Sequence, residues 1–336
     1  MVIGTPAPAE FKGAYTVGGE GADFASLYAA CDSVNKAVIA GNLAGDIELL
    51  IAADLVEPKN IGLINNTDYT ITIRPDQDAD RTILFTQSTD NEGASGAFVI
   101  GCDMGITFTG TATKNIVIDG FAEGGDTRRL TFTTTDGFGS KAGPIVFYGD
   151  VTNSIIKNCI VTNTIYHSST SAYAITLRNE KNTDKCPVGV IIENNKIEVL
   201  VADNGQGIYL NGSQAATAKV GAPKNTVVRN NEIIAATRGI FLYGANGLIA
   251  EGNTIRVRQH AGGRLSHGIM GNSQTGVITV RGNKFVELTT VNVTAGDYGI
   301  QAITASGGAS VWMIENNFFG GFDAGTACAG NPTKIC

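Results

Sequence analysis

A short phrase recurs along this chain: β-branched residues, then a charge, then Asn-Asn or Gly-Asn. It reads Val190-Ile191-Ile192-Glu193-Asn194-Asn195-Lys196-Ile197, and returns as Val227-Val228-Arg229-Asn230-Asn231-Glu232-Ile233 and Ile249-Ala250-Glu251-Gly252-Asn253-Thr254-Ile255. It returns again as Thr279-Val280-Arg281-Gly282-Asn283-Lys284-Phe285 and Met313-Ile314-Glu315-Asn316-Asn317-Phe318-Phe319, with weaker copies at Ile155-Ile156-Lys157-Asn158-Cys159 and Ile116-Val117-Ile118-Asp119-Gly120. Repeats at such intervals mark a solenoid, in which each copy is one coil and only stacking buries its apolar face.

The aligned columns narrow the choice of solenoid. The residue before the Asn pair runs Asp119, Lys157, Glu193, Arg229, Glu251, Arg281, Glu315, alternating in sign at every step. Parallel strands of adjacent coils lie roughly 4.8 Å apart, so the column becomes a file of opposite charges without like neighbours. One position earlier, Ile118, Ile156, Ile192, Val228, Ala250, Val280 and Ile314 form an apolar inward column. Two positions after Glu193 and its equivalents, Asn195, Asn231, Asn253, Asn283 and Asn317 line up, and stacked amides can hydrogen-bond from coil to coil. These features predict an all-β solenoid, a right-handed parallel β-helix with an N-terminal capping α-helix. The repeated charges, Ile and Asn build the stack and are poor candidates for chemistry.

Composition agrees. Of 336 residues 43% are hydrophobic and only 16% charged, enough for a continuous core. The net charge of −7 disfavours nucleic acid as a partner. No run approaches the ~18–20 apolar residues of a membrane span, so membrane insertion is not expected. Met1-Val2-Ile3-Gly4 begins no signal peptide, which leaves a cytoplasmic chain or a mature region whose export signal has been removed. Six cysteines favour the second, a secreted or cell-surface protein. Cys328 and Cys336 are candidates for a small disulfide loop, and Cys159 and Cys186 flank one coil and could meet, whereas Cys31 and Cys102 have no evident partner. With no Cys-x-x-Cys and three His, no zinc site is expected.

In chain order, residues 1–12 read as a flexible leader, 13–45 as a cap, 46–322 as the β-helix and 323–336 as a tail. Asp23 is a suitable N-cap for a helix running to about Lys36, with Phe24, Leu27, Cys31 and Val34 at helical spacing. Ile47–Ile51 and Tyr69–Ile73 read as the first coil strands, and residues 121–143 as a protruding loop. Asp76-Gln77-Asp78-Ala79-Asp80 invites calcium but lacks the Gly and distal Glu of a calcium loop, so a solvated turn is expected and no cofactor.

The opening Gly13-Ala14-Tyr15-Thr16-Val17-Gly18-Gly19-Glu20-Gly21-Ala22-Asp23-Phe24-Ala25-Ser26-Leu27 resembles the start of β-helix modules in large secreted and surface proteins of the Bacteroidetes type, within the pectate-lyase-like superfamily. Asn115-Ile116-Val117-Ile118-Asp119-Gly120 with Arg129-Leu130-Thr131-Phe132 is similar to the same modules. The resemblance covers nearly the whole chain and implies the fold and an export route. Such modules occur in adhesins, in polysaccharide-degrading enzymes and in proteins of no known role. Their C-terminal sorting domain is not visible here, and the superfamily's catalytic signatures are not evident.

A second phrase runs out of phase with the first: Pro144-Ile145-Val146-Phe147-Tyr148, Ala174-Ile175-Thr176-Leu177-Arg178, Gly207-Ile208-Tyr209-Leu210-Asn211, Gly239-Ile240-Phe241-Leu242-Tyr243, Gly268-Ile269-Met270-Gly271-Asn272 and Gly299-Ile300-Gln301-Ala302-Ile303. Alternation sends Ile and Leu inward. One outward column is then Val146, Thr176, Tyr209, Phe241, Met270, Gln301, and beside it runs Tyr148, Arg178, Asn211, Tyr243, Asn272. Outward aromatics in neighbouring coils suit an extended polysaccharide, whose pyranose rings stack on aromatic faces while Arg and Asn bind hydroxyls or carboxylates. The competing expectation is that loop 213–225 covers this face and makes it a second small core.

Tyr173, Gln206, Arg238, His267 and Tyr298 stand just before those strands. Arg238, His267 and Tyr298 are the types that β-elimination on a uronic-acid polymer needs, to neutralise a carboxylate, abstract a proton and protonate the leaving oxygen. A hydrolase needs two carboxylates, and Asp203 and Asp297 fall three coils apart in this alignment. No phosphate-binding loop is present. The expectations are therefore a glycan-binding surface protein, a polysaccharide lyase, or a structural spacer, acting as a monomer or within a larger surface protein.

Overall fold

The computed structural model describes residues 10–86, 96–103, 111–135, 143–164, 172–180, 183–199, 205–212, 221–258, 266–289 and 300–320. The chain winds into coils of three parallel strands, which assemble into sheets of ten, nine and eight strands beside a two-stranded ribbon. Ile191–Glu193, Lys196–Val199 and Gly205–Asn211 make one such coil, contributing in turn to the ten-, nine- and eight-stranded sheets. The repeated phrase supplies the first strand and opens the second, and the later aromatic phrase supplies the third. The full extent of the strand that follows the Asn pair, too short to show its own periodicity, is seen in the structure.

The Asn-Asn and Gly-Asn pairs turn the corner between the first two sheets. The first member is left-handed in each coil: Asn158 (φ 59°), Asn194 (51°), Asn230 (57°), Gly252 (64°), Gly282 (63°) and Asn316 (51°). Asn and Gly tolerate this region best, which explains their interchange. The second member turns inward. Asn195, Asn231, Asn253 and Asn283 each donate from the backbone N–H to Oδ1 of the next Asn, at 2.9 Å throughout. Each side-chain amide also donates to a carbonyl of the preceding coil, as Asn231 Nδ2 does to Ile192 O at 2.9 Å. Cys159 occupies the same position one coil earlier and donates its N–H to Asn195 Oδ1.

The charges stack in register, from Asp119 through Lys157, Glu193, Arg229, Glu251 and Arg281 to Glu315. Lys157–Asp119, Arg229–Glu193 and Arg281–Glu251 close to 3.0, 2.8 and 2.9 Å. Behind them Ile118, Ile156, Ile192, Val228, Ala250 and Val280 are fully buried in one core that runs the length of the described coils. Each large aliphatic side chain so buried stabilises by about 1.5–3 kcal/mol. Gly207, Gly239 and Gly268 let the eight-stranded sheet close on that core, because a Cβ there would meet Ile233, Ile255 and Phe285.

The N-terminal end is capped, with corrections to the sequence reading. Phe11–Val17 is a strand paired parallel with Leu43–Ile51, so ordered structure starts inside the stretch read as a leader. The helix is Leu27–Ala40, capped by Ser26, whose hydroxyl accepts from Ala29 N, and closed by left-handed Gly41. Asp23 is not the cap: its carboxylate accepts from Thr16 N and Oγ1, tying the loop to the strand. Asn35 fastens the helix to the first coil through Gly62 O and Ile64 N, both at 2.9 Å.

Three further expectations change. Leu130–Thr134, within the supposed loop 121–143, is a strand of the nine-stranded sheet. Cys159 and Cys186 are both buried and free, not paired. Asp78 and Asp80 hold the Arg129 guanidinium at 2.7 and 3.0 Å while Asp76 holds Arg81 at 2.9 Å, so the acidic turn is an arginine clamp. Cys328 and Cys336 lie outside the described residues.

Candidate functional site

The outward residues of the eight-stranded sheet form three columns. Val99, Val146, Thr176, Tyr209, Phe241, Met270 and Thr304 stack in the first, and Tyr148, Arg178, Asn211, Tyr243, Asn272 and Ser306 in the second. The third, at the strand starts, is Tyr173, Gln206, Arg238 and His267, and Gln301 follows in backbone register. Gln301 thus pairs with His267 and not with Met270, three residues from its expected position. The signal lay at the other end of the strand, where Ser306 precedes its turn as Asn272 precedes Ser273. Aligning on that turn instead of on Gly299 finds Thr304 and Ser306.

The first column is closed at its N-terminal end. Val146 and Tyr148 are 0% and 2% exposed and pack with Val99 and Cys102 into a separate small core. Tyr148 is therefore no surface platform; residues 213–220 of the loop expected to cover this face lie outside the described residues.

Further along, the aromatics stack on one another. Tyr173 and Tyr209 lie 4.5 Å apart and Tyr209 and Phe241 5.1 Å apart, at interplanar angles of 14° and 6°. Arg238 sets its guanidinium 4.7 Å over the Phe241 ring and donates from Nε to Met270 Sδ at 3.1 Å. Tyr209 and Phe241 keep only 9% exposure each. Burial, reinforced by the neighbouring Tyr173 and Tyr243, pushes the Tyr209 hydroxyl well above its ordinary pKa. Ring faces occupied by other rings cannot also stack on a sugar, which corrects the expectation that Tyr209 and Phe241 are the platform. Tyr243 differs: it tilts 58° to Phe241 and stays half-buried.

The accessible row is the second column. Arg178, Asn211, Tyr243 and Asn272 are half-buried, Ser306 is exposed, and the row advances one coil per residue. It offers a guanidinium, amides and a phenol at roughly 4.8 Å intervals, a polar rail beside an aromatic ladder.

Of the proposed elimination trio, Arg238 and His267 fall among the described residues. Arg238 and His267 are neighbours, but His267 is 4% exposed and Arg238 is spent on Phe241 and Met270. Tyr298, Asp203 and Asp297 lie outside the described residues. Among the described residues, no cluster of three or more His, Cys, Asp or Glu could hold a metal, and no helix is long and apolar enough to cross a membrane.

The family described as right handed beta helix region matches residues 145–335. The chain belongs to that family. No curated protein matches it. Among solved structures, the β-helix is similar to the pectin methylesterase from Aspergillus niger, at 10% identity and TM-score 0.49, covering 97% of this chain and 90% of that one. The Streptococcus pneumoniae surface protein and adhesin PfbA is similar at 10% identity and TM-score 0.43, over 88% and 93% of the two chains. An alginate lyase, AlyGC, is similar at 11% identity and TM-score 0.48, over 93% of this chain and 41% of the lyase.

Proposed function

We propose that the protein is a secreted or cell-surface β-helix that binds an extended polysaccharide along the Arg178–Asn211–Tyr243–Asn272 row, in adhesion or glycan capture. The observation that carries this reading is the row itself, half-open polar side chains repeating at coil spacing beside an aromatic ladder. A polymer with its own regular repeat can run along such a rail, with Tyr243 stacking on one sugar and Arg178 binding a hydroxyl or carboxylate further along. Capture without turnover fits Arg238, whose guanidinium lies over Phe241, and His267, which is buried.

The test is a glycan array with the wild type, Tyr243→Ala and Arg178→Ala, read beside an ultraviolet assay for unsaturated uronate product. Binding lost in both variants, with no product from the wild type, supports capture. Product formation by the wild type makes the protein a lyase, and silence in both assays leaves a structural spacer.

A further inference from the structure

The ten-stranded sheet presents an apolar outward column. Val117, Ile155, Ile191, Val227, Ile249, Thr279 and Met313 stack in register on its outer surface. None is fully buried, and Ile249 and Met313 are 39% and 45% exposed. Two residues further along each strand, on the same face, runs the alternating file from Asp119 to Glu315. The file borders an open groove of about 600 Å³ lined by Glu193, Arg229, Glu251 and Arg281 among others. An apolar stripe beside a charged groove, repeated at one spacing over successive coils, has the make-up of an interface.

We infer that this face pairs with the same face of a second copy of the chain, about a two-fold axis parallel to the strands and midway between the Arg229 and Glu251 coils. Such an axis reverses the solenoid but keeps the strand direction, so stripe meets stripe and charge file meets charge file. Val227 then lies on Ile249 of the second copy, Ile191 on Thr279 and Ile155 on Met313. Across the charge files Arg229 faces Glu251, Glu193 faces Arg281 and Lys157 faces Glu315, so each pair has opposite sign.

This follows from the alternation. A two-fold placed between adjacent coils of an alternating file always joins unlike charges. Moved by half a coil, so that it passes through one, it joins like charges at every level. The file therefore selects one register and rejects its neighbour, as complementary interfaces do. A two-fold along the solenoid axis would instead put the files on opposite sides and leave them unused. The charges also pair within each chain, so the contact extends existing ion pairs into a network. Five coil steps of about 4.8 Å by a strand of about five residues, roughly 17 Å long, give about 400 Å² a copy before the flanking turns are counted, the area of a weak, concentration-dependent dimer.

Sedimentation equilibrium on the full chain, up to roughly 1 mM, tests this. The wild type is expected to dimerise reversibly, more weakly as salt rises. Ile249→Asp, on the outer face and clear of the core, is expected to weaken association at least about tenfold, as is Arg229→Glu. Combining Arg229→Glu with Glu251→Arg restores unlike pairs between copies while creating like neighbours within each chain, so dimerisation should return although stability does not. A wild type monomeric throughout, a dimer indifferent to Ile249→Asp, or a double variant that stays dissociated overturns the inference.

Discussion

Asn231 Nδ2 donates to Asn253 Oδ1 at 3.0 Å across 22 residues of chain, and the Asn231 N–H shares the same acceptor at 2.9 Å. One carbonyl oxygen thus satisfies two donors of the preceding coil, while Asn253 Nδ2 reaches back to Val228 O at 2.9 Å. Each amide is both product and template of the stack, and removal strands partners on both sides.

Asn253→Ala is therefore expected to cost roughly 2–4 kcal/mol in urea unfolding, since it leaves the Asn231 N–H and Val228 O buried without their partner. A cost below about 1 kcal/mol would show that water takes over the ladder's role.

The aromatic ladder separates packing from recognition. Phe241, stacked on Tyr209 and covered by Arg238, should cost about 3–5 kcal/mol when cut to Ala. Tyr243→Ala, at a half-buried site, should cost under about 1.5 kcal/mol and abolish glycan binding. Thermal unfolding beside array binding checks both, and equal losses of stability would place Tyr243 in the packed layer.

Glu57 supplies a pH dependence. Its side chain is buried and accepts from Leu27 N at 2.6 Å at the start of the capping helix, yet burial outweighs that bond and pushes its pKa up. With the folded pKa above the unfolded one, this residue's contribution is complete below the ordinary glutamate value of about 4.3 and is lost as pH rises through the higher folded value. Glu57→Gln keeps an acceptor for Leu27 and removes the charge, so it should raise stability near neutral pH and leave it unchanged in acid. Denaturant midpoints at several pH values decide, and a Gln variant less stable at pH 7 would mean that the carboxylate's bonds to the helix dominate.

The buried thiols should be inert. Desolvation raises Cys31 and Cys159 well above the ordinary thiol value and pushes Cys102 up to about 12, with Asp103 and Glu180 adding to the last. Mass spectrometry after maleimide treatment is expected to find these three unmodified in the native protein and modified after denaturation. Native labelling of Cys159 would reveal opening of the coil at the head of the Asn ladder.

The sequence displayed one relationship plainly, which coil positions are vertical neighbours. Ile192 under Val228, Glu193 under Arg229 and Asn195 under Asn231 could be read from the repeat, because a stack demands the same type of side chain at the same height in each coil. The left-handed corners were visible too, as an exchange of Asn for Gly. The register of Gln301 escaped because the preceding loop varies in length and carries no repeat.

The β-helix, its core and its charge file were thus determined by the sequence alone, since contacts along the stack recur at a fixed spacing. Only the tertiary structure decided which outer faces are open. Tyr148 in a small second core, Tyr209 spent on Phe241, and the half-open Ile191–Val227–Ile249 stripe all depend on side-to-side contacts and coil closure. Those contacts join residues that no period relates.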